Sequence, residues 1–220
     1  MIEIRCAGRD SLSADEASAV AATARGGGVI LLPTDTLYGL GADPRSDAGI
    51  AAVCRLKGRD PGKPLPVLLA DPSLVGSFAS GFPAPWRALA ARFWPGPLTL
   101  LFPAFPGLPA GVRSADGKVA LRVPGSALCR AVLAAAGGAL TGTSANASGF
   151  AGTGAPAAAL AGLAGAVDLW VNAGTLPPSA VSTLLDMDES ESVRELRAGA
   201  VAPGAWQGAL GGPGQGYGVG

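Results

Sequence analysis

The chain of 220 residues contains no histidine. That absence excludes Ser-His-Asp and Cys-His catalysis, zinc sites built on histidine, and any imidazole proton shuttle near neutral pH. Cysteine is scarce: Cys6, Cys54 and Cys129 are far apart, odd in number and without a CxxC pair. Such spacing supplies neither a disulfide framework nor a metal knuckle, and it leads us to expect a reducing, cytoplasmic compartment. Charge is sparse as well, with 16 Lys+Arg balancing 16 Asp+Glu, so no global field draws a polyanion or a membrane surface. Aromatic residues are limited to 4 Trp, 2 Tyr and 6 Phe, and no basic stripe accompanies them, which argues against a dedicated nucleic-acid module. Any anion site in this chain has to be local.

Long apolar runs are also missing. Phe93 to Val112 is uncharged but carries five prolines and three glycines, so it cannot form a continuous membrane-spanning helix. The N-terminal MIEIRCAGRD is charged and lacks the apolar core of a secretory leader. What is abundant is small: 44 Ala, 34 Gly and 19 Pro. These residues are interleaved with short Val, Leu and Ile blocks, which reads as turns between many short elements. The exception is Ala198 to Gly220, with nine glycines and no charge. The expectation is therefore one domain over residues 1–202 and a flexible Gly-rich tail over 203–220.

Ser13-Ala-Asp-Glu16 forms a capping box, so residues 14 to 25 are expected to be helical, with Gly26-Gly27-Gly28 as the stop. Ser46 caps a second helix that ends at Gly58, Asp71-Pro72 opens a short one, Trp86, Leu89 and Phe93 mark another, and Ser126 to Ala136 a fourth. Strands are expected at 29–33, 66–69, 98–102, 118–123, 139–143, 167–171, 181–185 and 193–196. This alternation predicts a single α/β domain in which helices flank a twisted mixed sheet.

Four segments carry polar chemistry at predicted strand ends, the usual place for a ligand in an α/β sheet. Pro33-Thr34-Asp35-Thr36-Leu37-Tyr38-Gly39-Leu40-Gly41 is the densest, with equal weight to a binding loop and to a self-satisfied turn. Lys57-Gly58-Arg59-Asp60-Pro61-Gly62-Lys63-Pro64, between a helix and a strand, puts three cations in a Gly/Pro loop that suits a polyphosphate, although such a loop is more often a solvated helix C-terminus and it lacks the Walker A spacing. Thr141-Gly142-Thr143-Ser144-Ala145-Asn146-Ala147-Ser148-Gly149 offers hydroxyl, amide and backbone donors with glycines that permit close approach. Leu121-Arg122-Val123-Pro124 places an arginine among apolar residues, where it needs an anionic partner from the protein or from a substrate; Arg197 raises the same question. The acidic cluster Asp186, Asp188, Glu189 and Glu191 reads as a solvated turn.

In order and approximate spacing, PTDTLYGLG, KGRDPGKPLPVLL, WPGPLTL, LRVP, TSANASG, SAVSTLLD and ELRAGAV resemble the YrdC-like L-threonylcarbamoyladenylate synthase family, from about Asp10 to Ala202. The resemblance implies a single α/β domain with a concave, positively lined cavity. It also implies an enzyme that condenses L-threonine, bicarbonate and ATP into threonylcarbamoyl-AMP and pyrophosphate, with Mg²⁺ arriving on the ATP. A threonylcarbamoyl-transfer complex would consume the product to modify tRNA, with at most weak tRNA contact by this chain and no membrane contact. Carried over by position, the ATP contacts are Lys57, Arg59, Lys63, Lys118, Ser144, Asn146, Gly152 and Arg197, with Lys57 and Arg59 as the catalytic pair. The threonine contacts are Thr36, Leu68, Arg122, Gly142 and Ser182, and no protein residue is assigned to a metal. Asp60 stands where many members have proline, Leu68 stands where two-domain members have histidine, and FAGTGAP departs from the family's usual segment. Two other readings remain open: a non-catalytic RNA-binding module, and a carbamoyl-adenylate domain of the hydrogenase-maturation type.

Overall fold

The computed structural model describes residues 1–147, 153–163, 165–188 and 190–211. Eleven strands and six α-helices alternate among them: β1 (Ile2–Arg5), α1 (Ala14–Arg25), β2 (Ile30–Pro33), β3 (Tyr38–Gly41), α2 (Asp47–Lys57), β4 (Val67–Leu69), α3 (Ala84–Phe93), β5 (Leu98–Pro103), β6 (Lys118–Arg122), α4 (Ala127–Ala135), β7 (Ala139–Thr141), β8 (Thr143–Ser144), α5 (Pro156–Ala161), β9 (Leu169–Asn172), β10 (Thr183–Met187), β11 (Val193–Arg197) and α6 (Pro203–Ala209). The helix starts follow the caps read from the sequence. The Ser13 side chain accepts from the Glu16 amide in a complete capping box, Ser46 accepts from Gly49, and Ser126 accepts from Cys129.

The strands form two sheets where one was expected. The first has the order β1-β9-β2-β3-β8, the second β11-β10-β5-β6-β4-β7, and both mix parallel and antiparallel pairs. The expected strand 139–143 is the point of division. It breaks at Gly142, so that β7 pairs with β4 in one sheet and β8 pairs with β3 in the other. The sheets are stitched beside this break, where the Thr141 amide donates to Ala42 O at 2.8 Å and the Ala42 amide donates to the Thr141 hydroxyl at 3.0 Å. Gly41 is needed for that approach, since a Cβ there would lie 2.9 Å from Thr141 O. Its neighbour Gly39 hides β3 from a reading based on strand propensity, which saw a loop in YGLG.

Two apolar cores follow from the two sheets. α1 and α4 pack on each other and on β2, burying Val20, Ile30, Leu32, Leu128, Val132 and Leu133. The larger core is built around β5, where the Phe102 ring meets Phe82 at 5.5 Å and Trp86 and Trp94 at 6.4 Å. The proposed tail boundary also changes. Residues 203–209 form α6, which packs on α3 with Trp206 only 2% exposed, because one large aromatic buries enough surface to order a helix despite its glycines. Residues 212–220 lie outside the described residues. Among those described, no helix is long and apolar enough to cross a membrane.

Candidate active site

A cavity of about 220 Å³ opens between the two sheets. Its walls come from the β2–β3 turn (Thr34, Thr36, Leu37), from β3 and β8 in one sheet, and from Leu68 of β4, Thr99 of β5 and Arg122 of β6 in the other. Gly142 sits where the chain passes between sheets; a Cβ there would lie 2.4 Å from Leu68 Cγ, so only glycine leaves the Leu68 side chain in place. Val181, Ser182 and Arg197, brought in by β10 and β11, complete the wall.

Three guanidinium groups reach this space, Arg59, Arg122 and Arg197, and no carboxylate is among the described residues that line it. Each is held by backbone carbonyls. Arg59 donates to Lys63 O at 3.2 Å and Pro64 O at 3.1 Å, Arg122 to Gly96 O at 3.0 Å, and Arg197 twice to Ser182 O at 3.1 and 3.0 Å. Arg122 also pairs with Asp35 at 2.6 Å and faces the Thr36 hydroxyl at 3.4 Å. Burial, and secondarily the charge of Arg122, lowers the pKa of Arg197. The two cations therefore repel each other across a partly desolvated space, the condition an anionic ligand relieves. Hydroxyls surround them: Ser182 Oγ accepts from Arg197 at 2.9 Å and shares a hydrogen bond with Thr99 at 2.9 Å, and Thr34 bonds Thr36 at 3.0 Å.

The expected site residues separate into three groups. Thr36, Arg59, Leu68, Arg122, Gly142, Ser144, Ser182 and Arg197 all meet at the cavity. Lys57, Asn146, Lys63 and Lys118 do not line it. Lys57 is expected to grip a triphosphate, but the residue is 4% exposed and its ammonium donates to the carbonyls of Ser144 and Asn146, the latter at 2.8 Å. Lys118 was expected to contact ATP. It is instead committed to Asp186 at 2.5 Å and Met187 O at 3.0 Å, because Asp186 is 1% exposed and needs both Lys118 and Arg194 to stay charged. Asp186 thereby departs from the solvated turn expected of its acidic cluster. Lys63 is exposed on its loop, and Asn146 is buried with its side-chain amide on Ala147 O at 2.8 Å. Gly152 lies outside the described residues.

The sequence reading missed Thr99 and Val181. Both lie within the ordered motifs, Thr99 as a lone hydroxyl in WPGPLTL and Val181 in SAVSTLLD, but an apolar valine carries no chemistry that would single it out. Tyr38 was noted only as part of its motif. Its hydroxyl donates to Gly174 O at 2.7 Å and accepts from the Ala173 amide at 3.0 Å, pinning the segment that leads to Val181 and Ser182. As for a metal, the described residues contain no cluster of His, Cys, Asp or Glu able to hold one.

A cavity lined by three arginines and several hydroxyls thus lies between the two mixed sheets of an α/β domain. The chain belongs to the Sua5/YciO/YrdC family, described as "Telomere recombination", whose model matches residues 22–199. It is 36% identical over 202 residues to a putative threonylcarbamoyl-AMP synthase of Mycobacterium leprae, covering 90% of this chain and 88% of that one. It is 42% identical over 126 residues to the threonylcarbamoyl-AMP synthase of Alkalilimnicola ehrlichii, covering 57% of this chain and 65% of that protein's length. The crystal structure of P. abyssi Sua5 complexed with L-threonine superposes with a TM-score of 0.88 at 26% identity, covering 96% of this chain and 61% of that one. The chain thus spans less than two thirds of the length of these last two proteins.

Proposed function

We propose that this chain is a threonylcarbamoyl-AMP synthase, joining L-threonine, bicarbonate and ATP with release of pyrophosphate. The observation that carries the reading is the set of three guanidiniums in a cavity whose described lining has no carboxylate. It is supported by the activity named for the relatives and by the threonine named with the Sua5 structure.

In this reading the substrate amine adds to the carbon of bicarbonate, giving a carbamate and water. A carbamate oxygen then attacks the α-phosphorus of ATP, and pyrophosphate leaves with the electrons of the broken P–O bond. The nucleophile arrives with the substrate, so a chain without histidine loses nothing. Arg122 takes the threonine carboxylate beside the hydroxyls of Thr36 and Ser182. Arg59 and Arg197 take the phosphates and neutralise charge as pyrophosphate departs. Mg²⁺ belongs to the nucleotide and supplies further charge neutralisation at the phosphates when bound. The product goes to a threonylcarbamoyl-transfer complex that modifies tRNA.

The test is pyrophosphate release from ATP, with threonine and bicarbonate omitted in turn. Loss of release on either omission is expected. Release that ignores threonine overturns the reading, and saturable tRNA binding without ATP turnover replaces it with an RNA-binding one.

A further inference from the structure

Lys57 and Arg59 are two residues apart, yet they face different surroundings. Lys57 ends α2, and Gly58 follows with a left-handed φ of 58° that turns the chain before Arg59. Arg59 reaches the cavity. Lys57 turns inward, where its ammonium bridges the carbonyls of Ser144 and Asn146, and none of the described ion pairs includes it. A cation buried against neutral carbonyls is costly unless those contacts are themselves required. Burial, and then the charge of Arg59, lowers its pKa to about 8, which leaves it charged at neutral pH.

The loop it holds is fixed from the other side as well. The Ala145 amide donates to Tyr38 O at 2.8 Å, so Ser144–Asn146 is clamped between β3 and the end of α2. That clamp sets Thr143 and Ser144, which line the cavity. We infer that Lys57 is a positioning residue: it fixes the Ser144–Asn146 loop for the nucleoside end of ATP, while Arg59 carries the phosphate charge. This rests on the nucleotide reading proposed above.

Calorimetric titration of the wild type, Lys57→Met and Arg59→Met with ATP, AMP and pyrophosphate separates the two roles. Lys57→Met is expected to weaken ATP and AMP by the same factor, about tenfold or more as for loss of a buried charged hydrogen bond, and to leave pyrophosphate affinity unchanged. The same variant is expected to raise KM for ATP while keeping kcat. Arg59→Met is expected to weaken ATP and pyrophosphate together and AMP much less. A Lys57→Met loss for pyrophosphate as large as that for ATP overturns the inference, as does no loss for either nucleotide.

Should Lys57→Met not fold, the ammonium resonance of Lys57 is followed by NMR in the wild type. A large shift on adding pyrophosphate overturns the inference, and indifference to pyrophosphate with a response to AMP supports it. Wild type that binds neither nucleotide sinks the functional reading instead. Where Lys57→Met folds, the clamp is judged independently of nucleotide by amide exchange at Ala145 and Asn146, which is expected to accelerate in the variant and whose constancy overturns the inference.

Discussion

Arg122 divides its guanidinium between two partners: Nη2 donates to Asp35 Oδ1 at 2.6 Å, while Nη1 faces the Thr36 hydroxyl at 3.4 Å. One edge is spent on the protein and the other borders the cavity. Asp35→Asn removes the carboxylate paired with Arg122 and leaves that buried charge on neutral acceptors, the Gly96 carbonyl and the Thr36 hydroxyl among them. The expected loss of stability is about 3 kcal/mol, read from urea unfolding. Threonine is expected to raise the melting temperature more in Asp35→Asn than in the wild type, because its carboxylate replaces the missing one. An unchanged unfolding midpoint contradicts this account.

Arg197 ends β11 and Lys118 begins β6 in the second sheet, and of the two only Arg197 lines the cavity. Arg197→Met is expected to cost about 2–4 kcal/mol in kcat/KM, as for a desolvated charge contact to a developing anion. Lys118→Met is expected to act on folding instead, since it leaves the buried Asp186 with Arg194 alone. Parallel assays of pyrophosphate release and thermal denaturation distinguish them, and a KM effect of Lys118→Met without loss of stability reverses the assignment.

The lowered pKa of Lys57 has a pH signature with a definite sign. Its folded value is about 8 against an ordinary 10.5, so between these values the unfolded chain binds more protons than the native one. Stability from this group therefore rises as pH climbs from about 8 to 10.5 and is lost as pH falls back through 8. The difference in urea stability between wild type and Lys57→Met, measured from pH 7 to 10.5, is expected to shift in favour of the wild type with increasing pH. Affinity for AMP is expected to move the opposite way above pH 8, as the ammonium that holds the loop is lost.

Gly142→Ala forces a methyl against the whole Leu68 side chain, with contacts at 2.4, 2.7 and 2.9 Å. Overpacking of this kind costs about 1–3 kcal/mol, and the displaced Leu68 can move only at the expense of the cavity it lines. The variant is expected to raise KM for threonine, and Leu68→Ala in the same chain is expected to restore part of the lost stability. Additive losses in the double variant would show that the two positions do not interact.

Trp206→Ala tests whether the chain beyond residue 202 is structural. Trp206 is 2% exposed and packs with the larger core, so truncation is expected to cost about 3–5 kcal/mol. Thermal scans of Trp206→Ala and the wild type compare the two directly, and an unchanged melting temperature contradicts a structural role for Trp206.

Much of this protein is determined by sequence alone. Ser13, Ser46 and Ser126 start helices because each hydroxyl satisfies an orphan amide three residues on, a local matter that needs no tertiary partner. The absence of histidine and the balanced charge confined the chemistry to cations gathered at a few loops. The ordered motifs contain Thr36, Arg59, Arg122, Ser182 and Arg197, which the fold places around one cavity.

Tertiary structure decided the rest. Whether 139–143 is one strand or two depends on Leu68, which lies far along the chain and forbids a side chain at Gly142. Composition alone does not separate Lys57 from Arg59 either, since both are cations flanking Gly58; their roles part because Gly58 turns the backbone and the carbonyls of Ser144 and Asn146 lie within reach of the lysine. Trp206 likewise orders a glycine-rich helix only because α3 and the aromatic core are there to receive it. Local hydrogen bonding is written in neighbouring residues, whereas burial and charge pairing are settled by residues that only folding brings together.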